Sequence, residues 1–164
     1  MGREVRIVPP TWEHPKQKNG RHAPLFGRGF ADELKEWETG KAKWDEGFRD
    51  NWEGGWVARE GDELNMTFAD WHGRQPIAED YMPDWPEAEA THLMMYENCS
   101  EGTPISPAFD APEKLARWLA DNGASSFGSM TASYEQWLNT CKTGFAFSAV
   151  SINGEFKSGV EAGL

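Results

Sequence analysis

Alternating apolar and polar positions predict strands at both ends of the chain and near its middle. Val5 and Ile7 alternate with Arg6 ahead of two prolines, which predicts a short strand. Residues 92–97 fit either a strand or the continuation of a helix, and the alternation favours the strand. Residues 11–30 contain many Pro, Gly, Asn and charged residues, so this segment is predicted to be a loop or an extended arm.

Apolar residues three or four positions apart predict three longer helices. The first covers residues 31–50, with Gly40 either at a bend or at a cap between two shorter helices. The second begins after Asp110, which is expected to form a capping box with Glu113, and the third covers residues 132–142. A short helix is predicted from Asp84 to Ala90. The positions assigned to buried helix faces are Trp37, Trp44, Phe48, Leu115, Trp118, Leu119, Tyr134, Trp137, Leu138 and Cys141.

Two hairpins are predicted from turn signals between alternating runs. The first joins residues 56–59 to residues 64–68. The second lies at the C-terminus around Asn153-Gly154, a strong signal for a type I′ turn, and it would pair Ser151 with Phe156 and Phe147 with Val160. The face expected to be buried comprises Phe145, Phe147, Ala149, Phe156 and Val160.

The predicted elements define an α+β fold with a small antiparallel sheet, about three packed helices and a C-terminal β-hairpin. A chain of 164 residues fits a single domain, here residues 1–164, with a core that needs no disulfide. Residues 70–86 form a long connection without periodicity, which we expect to cover the core or line a cleft. Cys99 and Cys141 could form at most one bridge and the N-terminus has no apolar signal region, so a cytoplasmic protein with reduced thiols is expected. No apolar run approaches the length of a membrane span.

Charge is distributed unevenly along the chain. The formal net charge is −11, yet residues 1–60 carry 11 bases and 11 acids, so the whole deficit lies in residues 61–164. The segment from Asp62 to Glu101 contains ten acids and only one base, Arg74. Such a surface attracts basic partners and repels phosphate, which predicts docking on a basic protein and argues against direct binding of nucleic acid. An ordinary solubilising surface is the alternative interpretation.

Residues suited to chemistry are few and scattered. The four histidines are far apart and no paired Cys motif is present, so neither a metal site nor a cofactor is predicted. Asp70 and His72 are a carboxylate and an imidazole two positions apart, and a polar pocket could join them to Ser100, Thr103 and Ser106. The structural alternative is that these hydroxyls bond the local backbone of a Pro-rich loop.

Several short motifs together resemble a group of small uncharacterised proteins encoded by bacteriophages and prophages. They are Val5-Arg6-Ile7-Val8-Pro9, Trp12-Glu13-His14-Pro15, Asp80-Tyr81-Met82-Pro83, Tyr96-Glu97, the run Ser-Glu-Gly-Thr-Pro-Ile-Ser-Pro-Ala-Phe at 100–109, Leu115-Ala116 and Ser133-Tyr134-Glu135-Gln136-Trp137. The resemblance implies a phage or prophage origin and carries over no functional residue, because the group has no assigned activity. By analogy of class, small acidic phage proteins often bind and block a host protein.

Two hypotheses of different class follow. The first is an accessory protein that binds a host or defence protein through an acidic surface, whose candidate residues are Glu79, Asp80, Asp84, Glu87, Glu89, Glu97 and Glu101. The second is a small-ligand-binding protein or enzyme with a polar pocket, whose candidate residues are Asp70, His72, Ser100, Thr103 and Ser106. The identity of the partner and the oligomeric state are left open by the sequence.

Overall fold

The computed structural model of the chain describes residues 2–98 and 102–164. Within them, eight strands and five α-helices are interspersed, and three of the helices have ten or more residues. In chain order the elements are β1 (Gly2–Val8), α1 (Phe30–Asp45), β2 (Phe48–Asp50), β3 (Trp56–Ala58), α2 (Phe68–His72), β4 (His92–Glu97), β5 (Thr103–Pro104), α3 (Pro112–Asp121), α4 (Tyr134–Thr143), β6 (Phe145–Phe147), β7 (Ala149–Ile152), β8 (Glu155–Ser158) and α5 (Gly159–Ala162). The predicted α+β class is confirmed.

The chain divides into two compact units. One contains residues 1–27 and 84–164 and is called here the sheet unit; the other contains residues 28–83 and is called the hairpin unit. A compact unit need not fold independently, so the single domain over residues 1–164 stays a prediction.

A four-stranded antiparallel sheet with the order β5-β4-β1-β6 forms the centre of the sheet unit. The two strands predicted around Val5 and over residues 92–97 are its central pair, with Val5 opposite Met95. Each has neighbours on both sides because β5 and β6 cover their outer edges. The preference for a strand over a helix at residues 92–97 is therefore confirmed.

Helices α3 and α4 pack against each other and against this sheet. Their apolar stripes meet the sheet in one core, as predicted for Leu115, Leu119 and Trp137, whereas Trp118 is only partly buried. Burial raises the pKa of the Cys141 thiol to about 12, with a smaller contribution from Glu113, so this cysteine is a core thiol as expected. The buried core residues are Met95, Leu115, Ala116, Leu119, Trp137, Cys141, Ala146 and Val160.

The two helix starts differ in how they are capped. At α4, Ser133 and Gln136 form a capping box, in which each side chain accepts the backbone N–H of the other residue. At α3, the predicted box between Asp110 and Glu113 is wrong. The cap residue is Ala111, which makes no side-chain cap bond, and Asp110 instead accepts a hydrogen bond from Lys114 at 2.8 Å. Pro at the first helical position starts this helix because its missing N–H costs nothing there.

The predicted turn of the C-terminal hairpin is confirmed, but the predicted strand pairing is confirmed only in part. Strands β7 and β8 pair with Ser151 opposite Phe156, and Asn153 adopts a positive φ of 53° as a type I′ turn requires. Phe147 does not pair with Val160, because it belongs to β6 and lies opposite Gly2. The predicted buried face is therefore wrong: Phe145, Phe147 and Phe156 are 39%, 50% and 59% exposed, and only Val160 is fully buried.

Helix α1 and the short hairpin β2–β3 build the hairpin unit. The predicted helix over residues 31–50 ends at Asp45, and Phe48–Asp50 forms a strand paired with Trp56–Ala58. Strand β3 therefore pairs with the preceding strand β2, and the predicted hairpin between residues 56–59 and residues 64–68 is wrong. Gly61–Asn65 forms a 3₁₀ turn with its own capping box between Glu60 and Glu63, and Phe68 begins α2. Trp37 and Trp44 are buried as predicted, but Phe48 is 40% exposed.

Candidate functional site

Within the described part of the chain, some of the predicted acidic residues have basic partners and others do not. Asp80 forms an ion pair with Arg74, and Glu97 lies 4.0 Å from the guanidinium of buried Arg3. Glu79 is exposed in the hairpin unit. Asp84, Glu87 and Glu89 are exposed in the sheet unit, and Glu101 lies outside the described residues.

Asp84, Glu87 and Glu89 lie in one short segment of the sheet unit, residues 84–89, called here the acidic turn. The helix predicted from Asp84 to Ala90 is wrong. Only a single turn forms there, in which the carbonyl of Pro86 accepts the N–H groups of Glu89 at 2.9 Å and Ala90 at 3.2 Å. Two apolar contacts hold the turn in place. Ala90 is only 6% exposed, and the ring of Trp85 packs edge-on against Trp12 with centroids 4.8 Å apart.

No ion pair within residues 2–98 and 102–164 involves Asp84, Glu87 or Glu89. Their backbone is held in place, while their charges face solvent without a compensating base. These three charges do not stabilise the fold, because exposed like charges so close together in sequence repel each other. It can instead attract a positively charged surface.

The residues predicted for a polar pocket serve largely structural roles. Asp70 completes the capping box of α2: its carboxylate accepts the hydroxyl of the cap residue Thr67 at 2.6 Å and the backbone N–H of Thr67 at 3.0 Å, and these bonds lower the pKa of the Asp70 carboxyl. Thr103 pairs with Glu97 in the sheet. Ser100 lies outside the described residues. Asp70 and His72 belong to the hairpin unit, whereas Thr103 and Ser106 belong to the sheet unit.

Ser106 is buried and fully engaged with backbone groups. Its hydroxyl oxygen accepts the N–H of Met95 at 2.9 Å, and the hydroxyl donates to the carbonyl of Pro107 at 2.8 Å. The hydroxyl thus takes the place of a ladder bond where β4 meets the Pro-rich segment. These two bonds fit the structural interpretation of Ser106, because the hydroxyl proton is donated to the backbone and is not free to point into a pocket.

A buried polar network that sequence spacing does not reveal joins the segment 9–27 to the sheet. The Nε2 atom of His14 lies 2.6 Å from the carbonyl oxygen of Ala23, so Nε2 carries a proton and donates it. In the neutral ring Nδ1 is then an acceptor for the hydroxyl of Tyr96 at 3.1 Å, and the same hydroxyl accepts the indole N–H of Trp12 at 3.2 Å. Arg6 stacks on the Tyr96 ring at 4.4 Å from its centroid.

Burial shifts both titrating groups of this network toward their neutral forms. It lowers the pKa of His14, assisted by the charges of His22 and Arg6 and opposed by the bond to Ala23. It also raises the pKa of the Tyr96 phenol, opposed by the hydrogen bond from Trp12. Because both ring nitrogens of His14 are engaged, the network fixes the segment 9–27 on β4 and does not present a free base. An adjoining open cavity of about 770 Å³ is lined by Trp12, His14, Lys16 and His22, among others.

The hairpin unit contains a second cavity of about 590 Å³. It lies between α1, the β2–β3 hairpin and α2, and its lining includes His72 but not Asp70. Phe68 is buried beside it and stacks on His72 with centroids 5.0 Å apart. Aromatic and acidic side chains both line this cavity. Sequence spacing does not reveal the combination, because α1, β2, β3 and α2 all contribute residues.

Among the described residues, no group of three or more His, Cys, Asp and Glu side chains is arranged to hold a metal ion. In the same part of the chain, no helix combines the length and apolar character needed to cross a lipid bilayer. Comparison with protein-family models, with curated proteins and with solved structures finds no match to this chain.

Proposed function

We propose that this chain is an accessory protein of a bacteriophage or prophage that binds a host or defence protein through exposed carboxylates. The acidic turn is the observation that carries the proposal. Asp84, Glu87 and Glu89 are all exposed there, and no ion pair in the described part of the chain neutralises them. The motif resemblance given above supports the origin.

Two bases of the sheet unit are buried and do not neutralise its surface carboxylates. Arg3 and Arg6 on β1 are 4% and 8% exposed, and their guanidinium groups bond carbonyls inside the unit, so they offset little of the outer charge. A basic partner surface would relieve the repulsion within the acidic turn. Fields of this kind extend over a Debye length of about 8 Å at physiological salt, and they mainly raise the rate of association. Phosphate groups of nucleic acid would be repelled.

Affinity capture from a lysate of a bacterial host at low and high salt tests the proposal. The tagged chain is compared with a triple variant, Asp84→Asn/Glu87→Gln/Glu89→Gln. A matched control, Glu13→Gln/Glu135→Gln/Glu161→Gln, removes the same amount of charge at other exposed positions of the sheet unit.

We expect the wild type and the control variant to retain one basic protein at about 50 mM salt and to lose it at about 500 mM, because screening shortens the range of the attraction. The triple variant is expected to lose this protein at both salt concentrations. Equal retention by the triple variant and the control variant would contradict docking through the acidic turn.

A further inference from the structure

The cavity of the hairpin unit has the size of a ligand site and an unusual lining. Its volume of about 590 Å³ falls within the range of roughly 300 to 1,000 Å³ that is typical of binding pockets. Trp56 and Trp71 line it together with Phe68. Trp56 remains 41% exposed, whereas the ring of Trp71 is stacked on Trp44 with centroids 5.7 Å apart. The cavity therefore offers one aromatic face that is fixed and one that is accessible from solvent.

The charges around this cavity favour a cation. Asp32, Glu36 and Asp50 line it, and none of these carboxylates takes part in an ion pair between described residues. Two bases line it as well, but the charge of Arg49 is already compensated by Glu63 at 2.8 Å, which leaves Lys35. The net charge presented to a ligand is thus negative. A metal ion does not fit this set, because no metal-binding arrangement of side chains occurs in the described residues.

Aromatic faces combined with carboxylates select a particular kind of cation. A guanidinium group is planar, stacks on indole rings and bonds carboxylates with two parallel N–H groups. The hairpin unit already uses this chemistry internally: the guanidinium of Arg59 lies 4.5 Å from the centroid of Trp44, and that of Arg49 lies 5.6 Å from the centroid of Trp71. Indole faces in this unit are therefore positioned where guanidinium groups can reach them.

We propose that this cavity binds an arginine side chain displayed by the protein partner. The inference rests on the proposed function, since it names the group by which a basic partner is recognised. Trp56 supplies the open stacking face, and Glu36 and Asp50 supply acceptors from two different elements. The site differs in chemistry from the acidic turn, which acts by long-range charge, because the cavity distinguishes a flat cation from other positive groups.

The test uses the full chain, labelled with ¹⁵N, and Nα-acetyl-L-arginine N-methylamide as the probe. Binding is followed by the indole N–H signal of Trp56, assigned with Trp56→Phe, in two-dimensional NMR spectra. The neutral citrulline analogue and the lysine analogue serve as comparison ligands. We expect a saturable shift with the arginine probe and at least about tenfold weaker binding of the citrulline analogue, which lacks the charge for stacking and charge-assisted bonds.

Matched glutamates on α1 provide the control variants. Glu36 lines the cavity, and Glu38 is exposed two residues further along the helix without lining it. Glu36→Gln and Asp50→Asn are expected to weaken binding of the arginine probe about threefold to tenfold, as loss of one charge-assisted bond does, while Glu38→Gln leaves it unchanged. Dispersion of the amide signals confirms that each variant is folded.

The inference is overturned if the Trp56 signal does not respond to the arginine probe, if the citrulline analogue binds equally well, or if Glu38→Gln weakens binding as much as Glu36→Gln does. Failure of the arginine site can be distinguished from failure of the proposed function. Salt-sensitive capture of a basic protein without binding of the probe would overturn the arginine site and leave docking intact. Binding of the probe without any captured protein would support the site and refute docking.

Discussion

Gly40 and Phe68 lie so close that a Cβ atom added to Gly40 would be 2.7 Å from Cζ of the phenyl ring. The glycine is therefore neither a bend nor a cap, since α1 runs unbroken from Phe30 to Asp45. It provides the space in which α2 approaches α1. The ring cannot move away freely, because Phe68 is 6% exposed and packs against Trp37 and Trp44 with centroids 5.2 Å and 5.9 Å away.

Gly40→Ala should lower the free energy of unfolding by about 1 kcal/mol, although alanine favours helix by a similar amount at an unhindered site. The reason is overpacking against a ring held by two indoles. Urea unfolding measures the change. In a Phe68→Leu background the same substitution should become neutral or stabilising, because the clash is removed; an equal loss in both backgrounds would contradict the contact.

Ser106→Ala should lower the free energy of unfolding by about 1 to 3 kcal/mol, because the N–H of Met95 would be left buried without an acceptor. The control is Ser151→Ala, whose hydroxyl is exposed in β7 and whose loss should change stability by less than about 0.5 kcal/mol. Thermal or urea unfolding of both variants compares them. Equal stability of the two variants would show that the Ser106 hydroxyl contributes nothing to joining β4 to the Pro-rich segment.

The network around His14 should make stability depend on pH in a defined window. The pKa of His14 is lowered in the folded chain from its usual 6.5, chiefly by burial. On acidification the unfolded chain therefore takes up the proton first, so stability is fully present above about pH 6.5 and declines as the pH falls toward the lower folded pKa. Lowered carboxyl pKa values at Asp70 and Asp110 act in a separate, more acidic window.

Urea unfolding between about pH 5 and pH 8 measures this dependence. The wild type should lose stability on acidification below about pH 6.5, and His14→Gln should show a flatter profile whatever its absolute stability. A slope that His14→Gln leaves unchanged would assign the dependence to another group.

Much of the fold could be predicted where the signal is local. The alternation in residues 92–97, the apolar spacing in residues 132–142 and the Asn153-Gly154 pair each act within a few residues, and each forms the predicted element. The hairpin predicted for residues 56–68 failed because Glu60 and Glu63 form a capping box for a 3₁₀ turn, whose sequence resembles a hairpin loop. The partner of Trp56 is instead Asp50, on the N-terminal side.

The site could be predicted only in outline, because its geometry depends on distant contacts. The acidic composition of residues 62–101 predicted a charged surface that includes Asp84, Glu87 and Glu89. It could not show which acids are neutralised, because Arg74 pairs with Asp80 and Arg3 lies near Glu97 only in the folded chain. Pairs such as His14 and Tyr96, which are 82 positions apart in sequence, have no periodicity to reveal them. The cavity of the hairpin unit could not be predicted either, because its lining residues come from four elements, α1, β2, β3 and α2.

The association rate of the captured partner, measured at several salt concentrations, tests the central claim most directly. The claim is that the carboxylates of the acidic turn attract a basic surface. Asp84→Asn/Glu87→Gln/Glu89→Gln should slow association several-fold at low salt, and the rates of wild type and variant should converge at high salt, because screening removes the attraction. Identical rates with identical salt dependence for the wild type and this variant would contradict the account.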